Sequence, residues 1–290
     1  MCIMLPMKKE IFLCAINNVL SGSCDQDCQF CTQSVRYRAN IERYNYKSID
    51  KIVQEALIAK SYGALGYCLV TAGVGLDDKK TEFIAKVARA IKSEIEGLNL
   101  IACNGLASVE QLRVLQESGV DSYNHNLESS KAYYEKICTT HSWQERYQTC
   151  LNVKEVGLKL CSGGIFGMGE SEEDRVSLIE AIASLEPEAV PLNFYHPNPA
   201  LPIKERNISM VEGLKVIHTM REKLGVEKLL MVAGGRELMF KEHTKEMFEA
   251  GANAIVIGNY LTTQGEIPST DREMIHALGY GVASSCEAKH

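Results

Sequence analysis

Two rhythms of apolar residues alternate along the chain. Short runs rich in Val, Ile, Leu and Cys recur at residues 11–16, 66–72, 99–104, 122–127, 159–166, 189–195, 229–233 and 254–258, and each is predicted to be a β-strand. Between them, apolar positions return every three or four residues over 49–61, 81–95, 109–118, 143–156, 172–185, 210–224 and 237–249, as amphipathic helices require. Gly63, Gly97, Gly119, Gly157, Gly225 and Gly251 stand where these helices should stop, the place for a left-handed cap.

Strands alternating with helices predict parallel βα units, and eight units close a TIM-type (β/α)8 barrel. An open doubly wound sheet is the alternative, but the first strand lacks the glycine fingerprint of a dinucleotide site. No change of composition marks a boundary, so residues 1–290 are expected to form a single α/β domain, with 1–9 as a loose N-terminal extension. The Pro-rich stretch from Pro191 through Pro202 follows the sixth predicted strand and is expected to be a long loop at the barrel mouth, and no role is assigned to the loop Tyr195–Asn207.

Composition narrows the function. A net charge of −6 with scattered basic residues argues against a nucleic-acid surface and against a basic membrane patch. Lys8 and Lys9 precede an apolar run that resembles an export signal, but Glu10, Asn17 and Asn18 interrupt it, and no stretch is long enough to span a bilayer. The expected location is the cytoplasm. Eleven cysteines, an odd number in a chain too large to need disulfide staples, point to metal ligation as the first hypothesis.

The cysteines sort by position. Cys24, Cys28 and Cys31 lie in CDQDCQFC, in the loop after the first strand. Three thiolates this close can hold three irons of a 4Fe–4S cluster and leave the fourth open to S-adenosylmethionine. A zinc knuckle would want a fourth ligand nearby, and no Cys or His follows until Cys68. Cys68, Cys103 and Cys161 each fall within a predicted strand, where alternate residues face the lumen, and Arg236 follows the seventh strand near the mouth. From pattern alone, inert core cysteines explain these three better than ligands do. In YNHNLE, period two puts Asn124, Asn126 and Glu128 on one face, suited to a urea-like group and ribose hydroxyls, with Asn193 expected towards the same space. His125 faces away and is expected to be structural. The GGIFGMGE run permits close approach of a flat ligand, with Ile165 against a base. Cys2, Cys14, Cys138, Cys150 and Cys286 have no partners at ligand spacing and receive no role.

Taken in chain order, CDQDCQFCTQSVR (24–36), YNHNLE (123–128), the QER at 144–146, LCSGGIFGMGE (160–170), AGGRE (233–237) and YLTT (260–263) resemble the biotin synthase family of radical S-adenosylmethionine enzymes. That resemblance implies radical insertion of sulfur into dethiobiotin. Cys24, Cys28 and Cys31 would ligate the 4Fe–4S cluster; Cys68, Cys103, Cys161 and Arg236 would hold a 2Fe–2S cluster that donates sulfur. Asn126, Glu128, Arg146 and Ile165 would contact S-adenosylmethionine. Asn124, Asn126 and Asn193 would line the ureido pocket, and Thr262 and Thr263 would receive the substrate carboxylate. The resemblance further implies a low-potential electron donor of flavodoxin or ferredoxin type and a homodimer. Two departures stand out: Glu128 where many relatives carry Asp, and Gly66 where some carry a basic residue.

Overall fold

The computed structural model describes residues 9–285. β1 (Glu10–Leu20) is followed by α1 (Ile49–Ser61), β2 (Gly66–Thr71), α2 (Asp78–Glu94), β3 (Asn99–Cys103) and α3 (Val109–Glu117). Next come β4 (Ser122–Asn124), α4 (Lys131–Ile137), α5 (Trp143–Glu155), β5 (Lys159–Cys161), β6 (Gly164–Phe166) and α6 (Glu172–Ser184). The remainder holds β7 (Ala189–Phe194), α7 (Met210–Leu224), β8 (Leu229–Val232), α8 (Arg236–Phe240), α9 (Thr244–Glu249), β9 (Ala254–Ile257), α10 (Pro268–Ala277) and β10 (Gly281–Val282).

All strand pairings are parallel. The order β1-β2-β3-β4-β5-β7-β8-β9 closes on itself through β1 and β9, with Phe12 opposite Ala254 and Cys14 opposite Val256. β6 continues the line of β5 against β7, so the barrel has the expected eight staves. β10 adds to the start of β1. The predicted single TIM-type barrel is therefore the observed fold.

The pleat of β1 decides what faces where, since successive side chains point to opposite faces of a strand. Ile11, Leu13 and Ala15 join the core between sheet and helices, while Phe12, Cys14 and Ile16 join a second apolar cluster with Cys68, Val70, Ile101, Met231 and Val256. This second cluster fills the lower lumen. Helix starts are written into the sequence by Ser108, Ser142, Ser171 and Ser209, each in a reciprocal capping box with the residue three places on. Gly63, Gly97, Gly119, Gly157, Gly225 and Gly251 all take positive φ, as their expected capping role requires.

Three expectations need correction. The strand expected over 159–166 is broken between β5 and β6, because Gly163 N–H turns to Asn126 Oδ1 at 3.1 Å. A Cβ on Gly163 would lie 1.9 Å from the Pro191 carbonyl oxygen, so only glycine makes this step. The helix expected over 237–249 is split by Lys241, whose φ of 40° ends α8 before a short 3₁₀ turn. α4 and α10 were not expected. α10 buries only Asp271 and Ile275, so it has almost no apolar rhythm to detect. The expected extension over 1–9 lies outside the described residues except at Lys9, whose carbonyl accepts from Gly281 N–H at 2.9 Å.

Pro191 lies within β7, so the expected loop begins only after Phe194, and the stretch 195–207 is tied down. Tyr195 hydroxyl donates to the Ile203 carbonyl at 2.7 Å, and Asn207 N–H bonds the Gly167 carbonyl at 2.9 Å. It closes over an apolar group that contains Met168, Ile165 and Phe30, next to the cysteine triplet.

Phe194 anchors the far side of the barrel, with its ring 5.2 Å from that of Phe240 and 6.3 Å from that of Phe166. Phe194→Ala should cost about 3–5 kcal/mol of stability, read as a lower urea midpoint. A midpoint within error of the parent would mean that this aromatic contact does not hold β7 to α8.

Candidate active site at the mouth and in the lumen

The triplet loop leaves β1 and folds back on itself. Val35 N–H bonds the Cys24 carbonyl at 2.7 Å, Cys24 N–H bonds the Gln33 carbonyl at 3.3 Å, and Cys31 N–H bonds the Cys28 carbonyl at 3.0 Å. Buried Gln33 accepts from Ser21 Oγ at 3.4 Å, fixing the loop to the strand end. Burial raises the Cys24 thiol and pushes Cys31 up to about 11. Neither thiolate is favoured by the protein alone, the state expected of sulfurs that a metal charge must stabilise.

One cavity runs from this loop into the barrel. Cys24, Cys28 and Cys31 share its walls with Asn124, Asn126, Glu128 and Arg146, and Cys103 lies at its inner end. The alternation expected beyond Tyr123 persists after β4 ends: Asn124, Asn126 and Glu128 are half-buried, while His125 and Leu127 are fully buried. Glu128 has a φ of 65°, uncommon for a non-glycine residue and held by Ile165 N–H on its carbonyl at 2.8 Å. Arg146 Nη2 donates to Glu128 Oε1 at 3.1 Å and Nε to the Asn126 carbonyl at 2.7 Å. Burial raises the Glu128 carboxyl and Arg146 opposes it.

The inner thiols meet as the pleat demands. The neighbouring Cys103 thiol and burial raise the Cys68 thiol, with Cys14 and Cys161 adding to the effect. Arg236 is 4% exposed and donates to Asp271 Oδ1 at 2.7 Å and to Glu237 Oε1 at 3.1 Å. Among the described residues, buried Arg236 Nε, Asn124 Oδ1, Glu128 Oε2 and Asn18 Oδ1 have no hydrogen-bond partner. Orphaned polar atoms are rare in a finished core; of these, Asn124 and Glu128 line this cavity and Asn18 lines the one beside Thr262.

Other expected residues lie apart from this cavity. Asn193 is committed to backbone, accepting from Gly234 N–H at 2.9 Å and donating to the Gly164 carbonyl at 3.3 Å. Thr262 and Thr263 line a separate cavity at the mouth with Asn18 and Tyr44; Leu261 borders both. Ile165 packs in the apolar group beside Phe30. His125 is 2% exposed and kept neutral by burial, but its Nε2 has no partner among the described residues, so it is not the satisfied histidine expected.

Sequence spacing missed two further thiols. Cys14 lies in the lumen: a Cβ on Gly66, its register partner across β1 and β2, would be 3.1 Å from Cys14 Sγ. Cys138, given no role from sequence, puts its Sγ 3.6 Å from Cys28 Sγ, with His141 beside both. Strand parity would have found Cys14. Nothing local in sequence joins Cys138 to Cys28, because 110 positions separate them. Cys2 and Cys286 lie outside the described residues, and buried Cys150 donates to the His125 carbonyl at 3.3 Å.

Comparison with known proteins agrees with this architecture. The Radical SAM superfamily model matches residues 18–182, and the Biotin and Thiamin Synthesis associated domain matches 191–281. In solved structures, methylornithine synthase superposes with a TM-score of 0.81 at 19% identity over 95% of this chain and 84% of that one. The hydrogenase maturase HydG does so with a TM-score of 0.79 at 15% identity over 97% of this chain and 65% of that one. These distant likenesses bear on the fold alone. Fold and family model together define a radical S-adenosylmethionine enzyme. The biotin synthase of Sulfurovum sp. is 66% identical over 281 residues, 97% of this chain and 99% of the relative. That of Nitratiruptor sp. is 56% identical over 277 residues, 96% of this chain and 99% of the relative, and that of Campylobacter jejuni is 51% identical over the same shares. The chain belongs to the biotin synthase family, and membership implies a 4Fe–4S cluster, a 2Fe–2S cluster and S-adenosylmethionine. No helix among the described residues is long and apolar enough to cross a membrane.

The Arg236–Asp271 pair is testable without any cofactor. In the cluster-free chain, Arg236→Met leaves Asp271 buried and unpaired and should cost about 3–5 kcal/mol. Adding Asp271→Leu should restore most of that loss, read by denaturant unfolding. If the double variant is no more stable than Arg236→Met, the loss does not come from the stranded carboxylate.

Proposed function

We propose that this chain inserts sulfur into dethiobiotin, and that one continuous cavity serves both halves of the chemistry. The observation that carries the reading is that cavity: the Cys24–Cys28–Cys31 loop at its mouth and Cys103 at its inner end, with a polar wall between. When bound, the two clusters and S-adenosylmethionine supply an electron, a carbon radical able to take hydrogen from an unactivated carbon, and sulfur.

Each end has donors suited to its group. Cys24, Cys28 and Cys31 would hold the 4Fe–4S cluster by three thiolates. Glu128, with one oxygen on Arg146 and Oε2 without a partner among the described residues, would accept from ribose hydroxyls. Asn126 and Arg146 complete that wall, and Ile165, in the apolar group beside it, would lie against the base. Cys68, Cys103, Cys161 and Arg236 would hold the 2Fe–2S cluster; the orphaned Arg236 Nε supports a further contact there.

Between the ends, Asn124 offers an unpaired carbonyl oxygen to a ureido N–H, and Asn126 offers its amide. Asn193 would have to exchange its backbone bonds to take part. Thr262 and Thr263 would receive the carboxylate at the mouth, where Thr262 Oγ1 already hydrogen-bonds Thr32 Oγ1 at 2.7 Å. Below the polar wall, Val70, Ile101, Met231 and Val256 make a dry floor, which keeps water from reactive species.

The two matched segments act as one unit, since β1 pairs with both β2 and β9. A one-electron donor of flavodoxin or ferredoxin type would reduce the mouth cluster, the enzyme would work as a homodimer, and its thiols suit the reducing cytoplasm.

Separate losses test the two ends. In the anaerobically reconstituted enzyme, Cys28→Ala should abolish both 5′-deoxyadenosine and biotin, measured by mass spectrometry. Cys103→Ala should keep deoxyadenosine while losing biotin. Biotin formation by Cys103→Ala at the parent rate would remove the inner thiols from the reaction.

A further inference from the structure

We propose that Cys28, Cys138 and His141 form a binding site for one thiophilic divalent ion, zinc(II) in type, in the cluster-free chain. Two cysteine sulfurs and one imidazole nitrogen come together, each offering one ligand atom, all within 4.8 Å of one another. The spacing is that of a tetrahedral site. Zinc–sulfur bonds of about 2.3 Å and zinc–nitrogen bonds of about 2.0–2.1 Å imply sulfur–sulfur edges near ~3.7 Å and sulfur–nitrogen edges near ~3.5 Å. Observed are 3.6 Å between Cys28 Sγ and Cys138 Sγ, 3.8 Å from Cys138 Sγ to His141 Nε2, and 4.0 Å from Cys28 Sγ to the same nitrogen. A shift of a few tenths of an ångström in a ring or thiol closes the remainder.

The imidazole is already in the tautomer a metal needs. An arginine can only donate, and Arg146 Nη1 lies 3.4 Å from His141 Nε2, so that nitrogen carries the lone pair. Nδ1 then carries the proton, which faces both Gln26 Oε1 at 3.2 Å and Cys138 Sγ at 3.3 Å; once a metal holds the sulfur, the Gln26 bond is the outer hydrogen bond typical of ligating histidines. On metal binding the long Arg146 contact would be given up, while the Gln26 bond would remain.

The three ligands are also held together by backbone. Asp27, beside Cys28, accepts from Thr139 N–H at 2.9 Å, Thr140 N–H at 3.2 Å and Thr140 Oγ1 at 2.9 Å. Gln29 N–H bonds the Ile137 carbonyl at 2.9 Å, and Gln29 Nε2 bonds the Lys136 carbonyl at 2.9 Å. The loop carrying Cys28 is thus stitched to the turn carrying Cys138 and His141 from both sides. Cys138 is buried and His141 is 9% exposed, so the ligands are shielded without being sealed. Two thiolates and a neutral imidazole suit zinc or cobalt(II), and solvent would take the fourth position.

Cys28 belongs to this site and to the triplet proposed for the 4Fe–4S cluster. Ion and cluster therefore exclude each other, and a bound divalent ion blocks cluster loading. The site itself rests on the three ligands alone and would stand if the triplet's role were different.

The test uses the full chain, cluster-free and anaerobic, titrated with cobalt(II) as an optical probe. One cobalt per chain is expected, with a thiolate charge-transfer band and the visible bands of a tetrahedral ion. Cys138→Ala and His141→Ala should weaken binding at least ~100-fold, the upper range for losing even an outer partner. Cys24→Ala and Cys31→Ala should bind as the parent does. Cys138→Val, close in shape to cysteine, gives the same comparison should the alanine variant fold poorly. Prior loading with zinc should slow iron uptake during reconstitution of the parent but not of Cys138→Val. The proposal is overturned if Cys24→Ala weakens cobalt binding as much as Cys138→Val, or if Cys138→Val binds as tightly as the parent.

Discussion

β1 is paired along both edges, to β2 on one side and to β9 on the other, and the interior of this protein depends on that closure. A strand held on both sides cannot slip by one residue without turning every side chain to the opposite face. Closure therefore fixes parity round the whole barrel: Cys14, Cys68 and Val70 must look inward, and Leu13, Tyr67 and Leu69 outward. The lumen acquires its sulfurs through the same constraint that builds its apolar floor. Where the polar work begins, the regular pleat stops. Pairing shifts between Asn18 and Leu20, β4 ends at Asn124, and β5 breaks before Gly164. Irregular strand ends at the mouth free side chains to face the cavity while the paired lower barrel holds them in place.

Charge in this interior is handled by burial in pairs. Arg146 with Glu128 and Arg236 with Asp271 each bring a cation and an anion into a low-dielectric space, which neither group would enter alone. In both pairs some hydrogen-bonding capacity is left over: Glu128 Oε2, Arg236 Nε and Asp271 Oδ2 have no partner among the described residues. A buried pair that exists only for stability should satisfy every donor and acceptor, since each orphan costs roughly 1–3 kcal/mol. At Glu128, which lines the cavity, such incompleteness is the mark of a site finished by its ligand.

Much of this could be read from the chain. The eight strands appear where β-branched runs predicted them, because a parallel strand buried on both faces is a continuous apolar run whatever its partners. The cysteine triplet was legible because all its members lie in one loop. The missed features share a physical cause, which is that their logic is not local. α10 carries its contribution in one buried acid, Asp271, that only makes sense opposite Arg236. Cys138 and His141 reach Cys28 through bonds between Asp27 and the 139–140 turn. At the break, the need for glycine at 163 comes from Pro191 on a neighbouring strand, not from its own sequence neighbours.

Gly66 shows how such a non-local constraint answers a local departure. A basic residue there would project into the lumen two places before Cys68. Here the register puts Cys14 directly across from it, and the Cys14 sulfur occupies the space in which a side chain at 66 would begin. The two positions therefore have to be taken together, since a larger residue at 66 requires something smaller or differently turned at 14. That space holds a fourth sulfur near Cys68 and Cys161, polarisable and without a fixed charge. Buried Arg236, tied to both Asp271 and Glu237, keeps its charge compensated within its own group of side chains.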